Sequence, residues 1–403
     1  MIAETRLINN CSVITEYNSS VHTAAIGIWL HNGARFETKA QSGYSHFLEH
    51  LLFKGTQLHS SHELSSRFEV MGGHINAETG RELTSFHGRV PKQYASELLT
   101  LLLEMITQNN FSSNDFDLER DVVLQELAML KDDPEEALED LGTERVWGDH
   151  NMGKQILGTQ ASLNNANLHS FRKYMHHTIT ADKLCIVASG NFDISALEEI
   201  IARTAFNRGE SSTTSTPAYQ SVNAQLDIHA EQNHLLWIMP AVAYQAPMMA
   251  AYDIANHILA GGYDSRLYQT LREQLGLVYS IDSRNDHYSD TGLWFVQTNT
   301  EKSNSKQTIA AVKQTIEELI EAGPTPQELE FARQHLQSVL ILESEDLEAR
   351  MDKLAQDRLY CGRHIGLQEQ LDQYERVRIE DIQAVLRDAW EQVSFFSTAG
   401  NGD

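Results

Sequence analysis

The chain has little cysteine, no long apolar run and few basic residues. Its three cysteines, Cys11, Cys185 and Cys361, are widely spaced along 403 residues and form no metal-binding pair. They cannot all be paired, which excludes a disulfide framework and suits small buried thiols in a reducing compartment. No apolar stretch approaches the roughly 18 residues that a membrane-spanning helix requires. The opening Met1-Ile2-Ala3-Glu4-Thr5-Arg6 lacks the basic and apolar regions of a secretory signal and the Arg-rich, acid-poor character of a transit peptide. Cytoplasmic residence is the expectation. Lys and Arg number 31 against 56 Asp and Glu, a formal charge of −25 that argues against nucleic-acid or anionic-membrane binding. It fits a solvated acidic surface and leaves room for a cavity that attracts basic peptides.

Apolar residues make up 41% and charged residues 22%, a globular composition, and the length calls for two or more domains. The clearest break is Asn207-Arg208-Gly209-Glu210-Ser211-Ser212-Thr213-Thr214-Ser215-Thr216-Pro217, polar and free of large apolar side chains. Domains are expected at 1–207 and 223–403, with a linker at 208–222. The two halves share a pattern. Each opens on an apolar strand, Ile26 to Leu30 and Leu235 to Met239, and continues into a helix, near 44–54 and 248–260. Each closes on a similar tail, Ile186 to Asp193 and Phe396 to Asp403. An internal duplication with α+β architecture follows, a sheet covered by helices in each half. Ser60 to Met71 reads as a second helix, and His74–Thr79 with Glu82–Val90 as a hairpin through Gly80-Arg81.

His46-Phe47-Leu48-Glu49-His50 carries the chemistry. Residues four apart share a helix face, so His46 and His50 can reach one metal ion. Glu49 borders that face, where a base for a metal-bound water is needed. Leu48, Leu51 and Leu52 point elsewhere and can bury the helix, while Gly55 is expected to cap it and Lys54 to complement its dipole. Such a pair of histidines requires a third ligand. Downstream, Asp115 to Leu127 has helical periodicity, with Ser113 or Asn114 as cap. Glu119 and Glu126, two turns apart, share a face with Val122 and Val123 on or beside it. A carboxylate on that face is a solvated group, a paired buried charge or a metal ligand.

The run His46 to Thr56 together with Glu119-Arg120-Asp121-Val122-Val123-Leu124-Gln125-Glu126 resembles the pitrilysin/insulinase-like family of inverted-motif zinc metallopeptidases, which includes the mitochondrial processing peptidases and compact bacterial relatives. The resemblance implies His46, His50 and Glu126 as ligands of one zinc ion per chain. It implies Glu49 as general base and Glu119 as the carboxylate that fixes the tautomer of a ligand histidine. Manganese or cobalt would suit the same donors. The family holds its peptide as an added strand on a sheet edge, and Asn76-Ala77 matches the gripping pair. In the second half, Ser265 to Ser280 resembles the family's Arg…Tyr signature. Arg272 and Tyr279 would hydrogen-bond the substrate carbonyl as its oxygen gains charge.

The resemblance further implies assembly around a closed peptide chamber. Both motif sets occur in this one chain, which favours a homodimer, with a heterologous partner as the other possibility. The expected activity is zinc-dependent endopeptidase cleavage of peptides or unfolded segments. The competing reading is a non-catalytic assembly subunit, against which the intact His46, Glu49, His50 and Glu126 count. A metal-storage protein would need neither Glu49 nor Arg272 and Tyr279.

Overall fold

A computed structural model of the chain describes residues 3–209, 214–228 and 230–398. Two compact units are present, each built on one sheet. The first comprises Met1–Ala128, Lys154–Ser215 and Glu343–Ile365; the second comprises Met129–Gly153, Thr216–Leu342 and Gly366–Asp403. The polar stretch at 208–222 lies between the two sheets in the chain, with 210–213 outside the described residues.

The first sheet contains β1 (Ala3–Ile8), β2 (Cys11–Tyr17), β3 (Thr23–Leu30), β4 (His74–Thr79), β5 (Thr84–Pro91) and β6 (Leu184–Gly190), in the order β1-β2-β6-β3-β5-β4. Only β2 and β6 run parallel. The second contains β7 (Asn223–Leu226), β8 (Asn233–Ala241), β9 (Val278–His287), β10 (Gly292–Thr300) and β11 (Ser394–Thr398), in the order β7-β11-β8-β10-β9. There only β11 and β7 are parallel. With β1 set aside, strand order and sense coincide. The duplication read from the repeated strands is thus a duplication of topology, and the fold is the α+β arrangement expected. Of the second tail, 399–403 lies outside the described residues.

Both sheets are covered on both faces, which is why β3 and β8 read as continuous apolar runs rather than alternating ones. In β3, Ala24, Ile26, Ile28 and Leu30 face one core, while Ala25 and Trp29 face another. The second face is covered by the helix Leu347–Gln356 through Leu347, Met351, Leu354 and Ala355. In the second unit the corresponding cover is the helix Pro134–Trp147, whose Leu138, Val146 and Trp147 pack on Leu236, Ile238 and Phe295. Each unit therefore takes one covering helix from the other half of the sequence. Among the described residues no helix is long and apolar enough to cross a membrane.

Local readings need three adjustments. The second hairpin strand starts at Thr84, because Gly80 N–H donates to Leu83 O and Glu82 is drawn into a fully buried pair with Arg35 at 2.6 Å. The helix bearing Glu126 spans Ser113–Asp132, and Ser112, one residue before the expected caps, closes it by reciprocal bonds with Asp115. The helix Tyr44–Leu52 ends at Phe53, so Gly55 lies beyond its cap, in a turn where it pairs with Ser60.

Candidate metal centre and its surroundings

The helix Tyr44–Leu52 is anchored by Phe47, Leu48, Leu51 and Leu52, all fully buried. Each such side chain contributes about 1.5–3 kcal/mol by leaving water. Its N-terminus is held from outside the helix: the buried Glu37 carboxylate accepts from Gly43 N–H at 2.8 Å and Ser45 N–H at 2.6 Å. Burial pushes the Glu37 carboxyl up to about 7 against the pull of those two bonds. Gly43 is required there. Its φ is +88°, and a Cβ would sit 2.6 Å from Leu157 O.

With the helix fixed, His46, His50 and Glu126 present one donor atom each, all within 4.8 Å of one another. Glu126 Oε2 lies 3.4 Å from His50 Nε2 and 3.8 Å from His46 Nε2, the latter beyond hydrogen-bond reach. The imidazole centroids are 4.7 Å apart. Burial, and then its neighbour His50, lower the His46 pKa to about 4, so its imidazole is neutral near pH 7. Two imidazole nitrogens and a carboxylate oxygen converge here, and that donor set fits zinc.

Behind this trio, His50 Nδ1 contacts Glu119 Oε2 at 3.1 Å, where a carboxylate can only accept, so Nδ1 donates and Nε2 is turned toward Glu126. The other Glu119 oxygen is bound by Lys54 Nζ. Lys54 thus pairs with a carboxylate where the helix dipole had been expected to engage it; its place one turn after His50 is the sequence signal for this. His46 Nδ1 is buried without a hydrogen-bond partner among the described residues.

Glu49 sits beside the trio, half-buried, and accepts a hydrogen bond from the Thr79 hydroxyl at the end of β4. Burial raises its pKa, helped by the Glu78 and Glu126 charges and opposed by Thr79 and His50. Thr79 was not among the candidate residues. It shares strand parity with Ala77, whose side chain packs inward toward the same helix, and that parity was the available clue. Asn76 and Ala77 lie on β4, opposite His87 and Phe86 of β5. The other edge of β4 has no strand partner among the described residues.

Arg272 and Tyr279 belong to the second unit and stand together. Arg272 lies on a π-helical turn, Tyr268–Gln274, with its guanidinium carbon 5.0 Å from the ring centres of both Tyr268 and Tyr279. Tyr279, at the start of β9, is 78% exposed. A cavity of about 620 Å³ opens here, lined among others by Tyr263, Tyr268, Arg272 and Tyr279.

Comparison with known proteins is consistent along the whole chain. Residues 12–160 match the insulinase (peptidase family M16) model, and residues 165–336 match the peptidase M16 inactive domain. An uncharacterised zinc protease of Streptomyces coelicolor is 30% identical, covering 96% of this chain and 87% of that protein. The uncharacterised zinc protease YmxG of Bacillus subtilis is 29% identical over 98% of this chain and 97% of its own length. Among solved structures, a peptidase M16 inactive domain from Pseudomonas fluorescens superposes with a TM-score of 0.92 at 17% identity, over 100% of this chain and 99% of that one. A protease from Helicobacter pylori gives 0.90 at 18% identity, over 98% and 99%. These two likenesses speak to the fold.

Proposed function

The chain belongs to peptidase family M16, and on that footing we propose that it is a zinc-dependent metalloendopeptidase acting on peptides or unfolded segments. The observation that carries this reading is the convergence of His46, His50 and Glu126 on one ion-sized space with the Glu49 carboxylate beside it.

Zinc held by these three side chains would supply a Lewis acid that makes a water molecule acidic. Glu49 takes the proton from that water and delivers it to the leaving amine, a role worth about 10²–10⁴ in rate. Its raised pKa makes the carboxylate a stronger base, and Thr79 holds one of its oxygens in place. Glu119, braced by Lys54, holds the His50 tautomer. The edge of β4 that has no strand partner among the described residues offers main-chain groups to an extended peptide, with Asn76 and Ala77 in the grip. Arg272 and Tyr279 act as donors to the carbonyl oxygen of the scissile bond. Homodimerisation belongs to the same proposal, and sedimentation of the purified chain tests it.

The decisive experiment follows a quenched fluorescent peptide with and without a chelator, beside Glu49→Gln. Cleavage should be chelator-sensitive and abolished in Glu49→Gln while zinc content stays at the parental level. Full activity in Glu49→Gln would sink the mechanism, and parental zinc content in Glu126→Ala would remove Glu126 from the ligands.

A further inference from the structure

We propose that Tyr268 is a positioning residue for catalysis: its ring stacks on the Arg272 guanidinium and aims that group's N–H edge at the substrate. The inference rests on the donor role given to Arg272 above. The Arg272 guanidinium carbon lies over both the Tyr268 and the Tyr279 ring, 5.0 Å from each ring centre. Its only ion-pair contact among the described residues is Glu273 at 3.9 Å, and it donates no hydrogen bond to any of them. An ion pair would consume the N–H groups that a substrate carbonyl needs. Stacking fixes the guanidinium by its face and leaves its edge free.

The two rings are not equivalent. Tyr279 is largely exposed, whereas Tyr268 is half-buried against the core of its unit and braced edge-on by Tyr263 at 5.2 Å. Tyr268 is therefore the fixed plate. The backbone is shaped to the same end. Leu275 N–H reaches back five residues to Thr270 O at 3.1 Å, a π turn, a rare form that is frequent at functional sites. Tyr268 and Arg272, four apart, both lie on this turn. The stacked pair lines the 620 Å³ cavity.

The test measures kcat and KM on the quenched peptide for Tyr268→Leu, Tyr268→Phe, Arg272→Ala and the Tyr268→Leu/Arg272→Ala double variant. Each is checked for zinc content and thermal midpoint. Tyr268→Leu should lower kcat about tenfold with little change in KM, the cost of losing one stacked face. Tyr268→Phe, which keeps the ring, should restore kcat, and the double variant should be no slower than Arg272→Ala. Parental kcat in Tyr268→Leu, a Tyr268→Phe as slow as Tyr268→Leu, or additive losses in the double variant would each overturn the proposal. If Tyr268→Leu fails to fold, Tyr268→Met takes its place in every arm. Parental kcat in Arg272→Ala would overturn the donor role itself and this proposal with it. A slow Arg272→Ala beside a fast Tyr268→Leu would overturn only the positioning.

Discussion

In the first unit, the helix between β3 and the edge hairpin carries His46, Glu49 and His50; in the second, the helix in the same place, Met249–Ala260, carries Asp253, Asn256 and His257. With β1 set aside the scaffolds match strand for strand, and the polar residues on the two helices differ in what they face. Asp253 accepts from Tyr374 at 2.9 Å and pairs with His287 at 3.3 Å. Asn256 is bonded by Trp294 and Ser283, and His257 stacks on His335 with centroids 4.4 Å apart. Asp253 and Asn256 thus find hydrogen-bond partners within their own unit, and His257 packs its ring on His335. On the first helix Glu49 and His50 are also partnered, by Thr79 and Glu119, but the Nε2 atoms of His46 and His50 converge with the Glu126 carboxylate into a group that could hold a metal ion. The first helix gathers ligand-type side chains at one point, and the second ties Asp253 and Asn256 to neighbours within its own unit.

That contrast can be broken by exchanging the roles. His46→Ala should abolish zinc binding and peptide cleavage while leaving the thermal midpoint of the metal-free chain within a few degrees, measured by metal analysis and calorimetry. Asp253→Ala should do the opposite. It strands the buried His287, whose pKa is held up by Asp253 against the opposing effect of burial, and costs about 3 kcal/mol in urea unfolding with zinc content unchanged. Loss of zinc in Asp253→Ala would show that the two units do not divide the labour in this way.

The support beneath the metal helix gives a subtler test. Glu37 keeps its proton in the folded chain up to about pH 7, against 4.5 when exposed. Between those values the folded state binds the extra proton, so stability falls as pH rises, by up to about 3 kcal/mol across the window. Glu37→Gln should flatten that slope in urea titrations at pH 5 and 7.5. The smallest effect is expected behind His50. Glu119→Gln should weaken zinc about 10–100-fold, read by chelator competition, with the fold intact.

Legibility from sequence divided along similar lines. The helix 44–54 and the hairpin at β4 and β5 were readable because their periodicity and turn residues are local. Adjustments fell where a distant partner intervened: Glu82 left the strand for Arg35, and Lys54 left the helix dipole for Glu119. Glu37 and Tyr268 escaped notice because a carboxylate and a ring carry no signal until packing sets them against the helix N-terminus and Arg272, and Thr79 offered only its strand parity with Ala77.

By itself the sequence determined the repeat and the His46–Glu49–His50 spacing, since helical period and chain order are written in residue order, while Glu119 and Glu126 became candidates through the family resemblance. Only the tertiary structure decided that Glu126 meets both histidines, that Glu119 turns to His50, and that each sheet takes a cover from the other half of the chain. Those outcomes depend on how far burial draws distant segments together, and no short stretch of sequence encodes that balance.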